Sequence, residues 1–266
     1  MHVTQAFSRT AAAFAFAALV SISASIVPAS GQDAKTTLAP SGSLRVGLYP
    51  GTPTSILEPQ SQTPRGVGYE IGKTLAGKLG VPYQPVVFAK NAEVLEAVRT
   101  GAVDMAFTNA SAARAKLIDF AQPYLEIELG YLVPKGGKVT SIADVDAKGI
   151  RIGVTQGSTS DSTLSRDLKN AEVVRLVTLK DGIDALAAGK IDAYATNKAT
   201  LFEMADQLSG SKVLDGRWGL ERHAIAIPKG RESALDYLRQ FTDTIRKEGL
   251  VKAAASRAGL RGIAQD

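Results

Sequence analysis

The chain has 266 residues, enough for one large or two modest domains, and its 45% hydrophobic and 21% charged content is that of an ordinary soluble globular protein. The formal charge of +5 does not point to nucleic acid, because lysines and arginines alternate with acids and form no basic run. There is no cysteine, which excludes disulfides, thiolate nucleophiles and cysteine-based zinc sites together.

The N-terminus reads as a targeting leader. Arg9 precedes an apolar stretch, Ala11 to Val20, too short to span a bilayer, and small residues follow at Ala29-Ser30-Gly31. A signal peptide over residues 1–31 is expected, with export to the periplasm as a freely diffusing protein. Residues 32–42 are polar and aperiodic and read as a disordered lead-in.

From residue 43 the pattern alternates. Leu44 to Leu48 reads as a strand and runs into the breaker cluster Tyr49-Pro50-Gly51-Thr52-Pro53. Tyr69 to Leu79 has helical spacing through Ile71, Leu75 and Leu79, stopped by Gly80. Tyr83 to Phe88 is a strand, Ala92 to Val98 a helix and Val103 to Phe107 a strand. This β-α-β-α-β order predicts a parallel sheet covered by helices. A small polar turn, Thr108 to Ser111, leads to a short helical piece carrying Arg114. Such a turn beside an arginine fork suits an anion, although a solvated surface arginine fits the same residues.

Leu125 to Val133 follows as a strand with one wet face, ended by Pro134-Lys135-Gly136-Gly137. The alternation then restarts: strand Ile150 to Thr155, helix Ser158 to Leu168, strand Val173 to Val177, helix Leu179 to Ala188, strand Ile191 to Ala195 and helix Lys198 to Leu208. The segments Leu95–Asp104 and Ile183–Asp192 share one rhythm, a helix, a glycine stop and an acid-bearing strand, which implies two lobes of similar build. The tail adds a strand, Ala224 to Ile227, and an amphipathic helix from Glu232 to Glu248.

Several short stretches together carry a resemblance. They are Leu44-Arg-Val-Gly47, Gly68-Tyr-Glu-Ile71, Gly101 to Asp104, Arg114 with Asp119-Phe120 and Pro123-Tyr124, Ile152 to Thr159, Ile191-Asp-Ala193, and Ile225 to Gly230. In this order and spacing the chain resembles the bacterial extracellular solute-binding proteins that feed polar amino acids to ABC importers. The resemblance implies an α/β fold of the periplasmic binding protein type 2 kind. Two Rossmann-like lobes are joined by two crossing strands, with the ligand in the cleft between them. Lobe 1 is then expected over 43–134 plus 224–262 and lobe 2 over 135–223.

By the same resemblance Arg114 grips the ligand carboxylate, with Asn109 where the family has Ser or Thr and Ser111 beside it. Gly157-Ser158-Thr159 opens a helix whose N–H groups and hydroxyl meet the same carboxylate, although Ser158 and Thr159 are equally ordinary capping residues. Asn197 stands where the family has its amine-binding aspartate, a loss of roughly 1 kcal/mol in charge-assisted hydrogen bonding. The aromatic residues that sandwich the ligand are missing: Thr52 and Asn91 lie near their places, and Tyr49 and Trp218 are candidate replacements. The ligand is therefore expected to be a small carboxylate, amino acid or related organic acid. No cofactor, metal or nucleic acid is expected; the partner is an ABC permease of the inner membrane, served by a monomer. The alternative is a periplasmic dehydratase-like enzyme, for which His223, Glu70 and Asp161 are the available acid–base groups.

Overall fold

The computed structural model describes residues 1–2, 29–50 and 52–264. Most of the expected leader, positions 3–28, lies outside the described residues. The disordered lead-in is corrected. Ala29–Leu38 forms helix α1, because Ala34 and Leu38 fall four residues apart on one face and are buried in the core. Two buried apolar residues, Ala34 and Leu38, are too thin a stripe to reveal a helix.

The first lobe is built as its periodicity predicts. Strand β1 (Leu44–Leu48) leads to α2 (Val67–Leu79), β2 (Tyr83–Val87), α3 (Asn91–Arg99) and β3 (Met105–Asn109). In α2 the buried face is Val67, Ile71, Leu75 and Leu79, an i, i+4 row. Gly80 ends it in the left-handed conformation, its N–H bonded to the carbonyls of Ala76 and Gly77. Both β2 and β3 run parallel to β1.

The second lobe repeats the plan with β5 (Arg151–Thr155), α5 (Thr159–Asp167), β6 (Glu172–Leu176), α6 (Leu179–Ala187) and β7 (Ala193–Asn197), β6 and β7 being parallel to β5. Helix α7 (Lys198–Gln207) and the short strand β8 (Lys212–Val213) complete it. The shared rhythm has a physical basis in matched ion pairs. Asp104 accepts from Arg45 at the base of β1, through the backbone N–H at 3.0 Å and Nε at 2.9 Å. Asp192 accepts from Arg151 at the base of β5 in the same way, at 2.9 and 3.0 Å. Each acid lies just before its strand rather than in it.

Two long strands join the lobes: β4 (Ile118–Val133) and β9 (Gly219–Pro228), paired antiparallel along most of their length. The sheet order is β2-β1-β3-β9-β4-β7-β5-β6, with β8 on β4. Both crossing strands are longer than periodicity predicts. Pro123 and the acids made β4 look interrupted, and a register shift on each side of Pro123 absorbs the missing donor. Strand β3 also runs on through Thr108 and Asn109, where a turn was expected. The tail helix α8 (Leu235–Lys247) and an unforeseen α9 (Leu250–Arg257) pack on the first lobe, with Leu238, Ile245 and Ala254 in the core that holds Val46 and Ile71. A separate core in the second lobe centres on Ile152, Val154 and Ala195. Among the described residues no helix is long and apolar enough to cross a membrane.

Candidate functional site

The end of β3 places the first half of the site. Ser111 caps the one-turn helix α4 (Ala112–Ala115), its hydroxyl accepting from the Arg114 N–H at 3.3 Å. The chain thus folds Arg114 back onto β3, where its Nη1 donates to Thr108 Oγ1 at 2.7 Å and to the Asn109 carbonyl at 3.1 Å. The guanidinium is half-buried, and burial pushes its pKa down against the opposing fields of Glu221 and Tyr49. Arg114 thus lies against the end of β3, partly buried and within the fields of Glu221 and Tyr49.

The second half is the start of α5. Gly157 takes φ 72°, and Ser158 is the N-cap, its hydroxyl accepting from the Asp161 N–H at 3.0 Å. The Gly157 N–H donates to Asp161 Oδ2 at 2.9 Å, so it is already occupied. Asp161 is in turn held by Arg175 at 2.9 Å. What remains open at this helix start is the N–H of Thr159 and Ser160, which have no intrahelical acceptor. The Thr159 hydroxyl faces the other lobe and accepts from Asn109 Nδ2 at 3.1 Å. One hydrogen bond therefore spans the cleft between the two expected anion-holding elements.

Asn197 behaves differently from a ligand contact. Its Oδ1 caps α7 by accepting from the Thr200 N–H at 3.0 Å, and its Nδ2 donates to Glu221 Oε2 at 3.1 Å. Glu221 was not foreseen. It lies on β9 opposite Ile127, its side chain only 12% exposed, and the same Oε2 is 3.2 Å from His223 Nε2. Burial pushes the Glu221 carboxyl up, but His223, Arg114 and the Asn197 hydrogen bond outweigh it, and the net shift is downward. An acid and a histidine at i, i+2 share one face of a strand, while Arg222 between them points outward to Glu126 at 2.9 Å. That alternation is present in the sequence, but a strand read from Ala224 leaves Glu221 outside it, whereas β9 begins at Gly219.

Tyr49 joins this group: burial raises its phenol, with Thr52 opposing and the charges of Glu221 and Arg114 acting on it. Thr52 Oγ1 lies 3.2 Å from Thr54 Oγ1. Arg114, Asn109, Thr159, Tyr49, Thr52 and Glu221 are thus brought together. Trp218 is not part of it: its indole donates to the Gly130 carbonyl at 3.0 Å and packs beside Tyr131 in the second-lobe core. Glu70 is engaged by Arg257 in a surface ion pair. Ser111 and Ser158 spend their hydroxyls on caps, as their residue types permit. Among the described residues no group of three or more His, Asp or Glu is arranged to hold a metal.

Comparison with known proteins bears on the family and the fold. The family described as "Bacterial extracellular solute-binding proteins, family 3" matches residues 44–258. The ABC transporter glutamine-binding protein of Bacillus subtilis is 27% identical over 136 residues, which cover 51% of this chain and 50% of that protein, so the chain spans about half the length of this relative. Among solved structures, the solute receptor for L-cysteine of Neisseria gonorrhoeae superposes with a TM-score of 0.72 and 26% identity, over 88% of this chain and 100% of that one. An ancestral amino acid-binding protein, a precursor of cyclohexadienyl dehydratase, shares the fold at TM-score 0.70 and 22% identity, over 84% and 98% of the two chains.

Proposed function

Since the chain belongs to the bacterial extracellular solute-binding proteins, family 3, we propose that it captures a small carboxylate-bearing solute, an amino acid or a close relative, and hands it to an ABC importer. The Bacillus and Neisseria relatives carry glutamine and L-cysteine in their names, which favours an amino acid. The observation that carries the reading is the Asn109–Thr159 hydrogen bond. It ties the end of β3, onto which Arg114 folds, to the start of α5 on the other lobe, which supports a shared anion site between them. A carboxylate held there meets a planar cation from one side and helix-start amides from the other.

Such a ligand contacts both lobes only when they are closed, and this differential contact is what shifts the population. A permease that reads the closed shape then distinguishes loaded from empty carrier. Both halves of the site come from one chain, so a monomer suffices. The work is placed in the periplasm, after removal of the leader.

A dehydratase-like enzyme is the second reading, favoured by the fold shared with the dehydratase precursor and by the Glu221–His223 pair. The downward shift of Glu221 weighs against it: an acid that stays ionised at neutral pH is a poor proton donor to a leaving hydroxyl. Mass spectrometry after incubation with amino acids and hydroxy acids separates the readings. Saturable binding without products supports the carrier, and turnover supports the enzyme.

A further inference from the structure

The family resemblance places an aspartate for the ligand amine just after β7, and this chain has Asn197 there. The structure puts a carboxylate at the tip of that amide. Asn197 Nδ2 donates to Glu221 Oε2, and Asn197 Oδ1 is spent on capping α7. The negative charge has moved by one side chain, from the β7–α7 junction to the crossing strand β9. We infer that Glu221 is the amine-recognising residue of this protein, with Asn197 and His223 as positioning residues, and that the ligand is a zwitterionic α-amino acid. The inference rests on the carboxylate-binding reading above and narrows it.

Three observations support it. Glu221 Oε2 is fixed from two sides by Asn197 and His223, whereas among the described residues no hydrogen bond engages Oε1. The Glu221 side chain is largely buried, yet Oε1 keeps contact with solvent, so an ammonium with three N–H groups can reach it and supply the donors it lacks. Glu221 also sits within the field of Arg114, so one cleft carries a cation and an anion from different elements. That pairing matches the two ends of an amino acid: carboxylate to Arg114 and the α5 start, ammonium to Oε1. His223 lies on β9 between β3 and β4, is 5% exposed, and has its Nε2 engaged with that carboxylate. Because the net shift of Glu221 is downward, the charge needed for ammonium recognition is present at neutral pH.

The test is calorimetry on the full protein, free of co-purified solute, with the twenty protein L-amino acids and L-cystine. The tightest binder is then compared with its α-hydroxy counterpart, which keeps the carboxylate and side chain but lacks the ammonium. The native protein should prefer the amine by about tenfold or more. Glu221→Gln, nearly the same shape without the charge, should lose about tenfold of that preference while binding the α-hydroxy acid as before. Adding Asn197→Asp to Glu221→Gln returns an acid to within reach and should restore the preference, which a merely structural role for Glu221 would not produce. An α-hydroxy acid bound as tightly as the amino acid by the native protein, or an unchanged preference in Glu221→Gln, overturns the inference alone. If neither class of acid binds, the carboxylate reading falls and this inference with it.

Discussion

Asn109 and Thr159 lie on different lobes, yet Asn109 Nδ2 donates to Thr159 Oγ1 at 3.1 Å. Asn109 is doubly fixed, since its Oδ1 accepts from the Arg222 N–H on β9 at 2.9 Å. The amide of Asn109 reaches across the cleft from the end of β3.

Replacing Thr159 with Val removes the acceptor at nearly constant volume. A neutral hydrogen bond contributes about 0.5–1.5 kcal/mol, so the closed population should fall by roughly two- to tenfold. Small-angle scattering should show a larger mean radius of gyration for the variant without ligand. An unchanged scattering profile would mean that this bond does not hold the lobes.

Among the described residues the Arg114 guanidinium bonds only to Thr108 and Asn109 of its own lobe. Arg114→Ala should therefore unfold at close to the native temperature and bind more than about tenfold more weakly, the loss of one charge-assisted contact. Arg114→Lys keeps the charge but not the fork, and should recover only part of the affinity. Calorimetry on the two variants checks both statements.

The matched ion pairs at the bases of β1 and β5 are unequal. Asp104 is completely buried and receives Arg45 together with Arg231 at 3.0 Å. Asp192 is paired with Arg151, which is one-third exposed. Breaking a buried pair by removing one partner costs about 3–5 kcal/mol. Asp104→Ala should show that loss in urea denaturation, and Asp192→Ala a smaller one.

Glu203, on α7, offers a pH signature. Burial pushes its carboxyl up to about 7 from an ordinary 4.5, only partly offset by Arg261. Below about pH 4.5 the group is neutral in both folded and unfolded chains and costs nothing. As pH rises from 4.5 to 7 the unfolded chain releases its proton first, so stability falls, and above 7 the full penalty is present. Glu203→Gln should therefore melt higher than the native protein at pH 8, with the difference vanishing near pH 4. A difference independent of pH would place the cause elsewhere.

The β/α rhythm could be read because α2, α3 and α6 each present an apolar row and stop at or next to a glycine, Gly80, Gly101 and Gly189. The cradle elements could be read because a strand, a glycine and a hydroxyl before a helix form a local pattern. Helix α1 could not, since Ala34 and Leu38 are meaningful only once the tail packs over them. Nor could the length of β4, because a proline and alternating acids inside a strand look like its end until a partner strand supplies the register. Glu221 was hidden for a related reason. A charged residue in sequence reads as solvent-facing, and only the fold shows that Asn197 and His223 allow it to be buried.

The most direct test of the carboxylate clamp is a crystal structure of the protein with the solute that co-purifies with it. The account predicts a carboxylate within hydrogen-bonding distance of the Arg114 guanidinium and of the Thr159 or Ser160 N–H, with the lobes closed around it. A solute bound elsewhere, or one in the cleft that leaves Arg114 bonded only to Thr108 and Asn109, would contradict it.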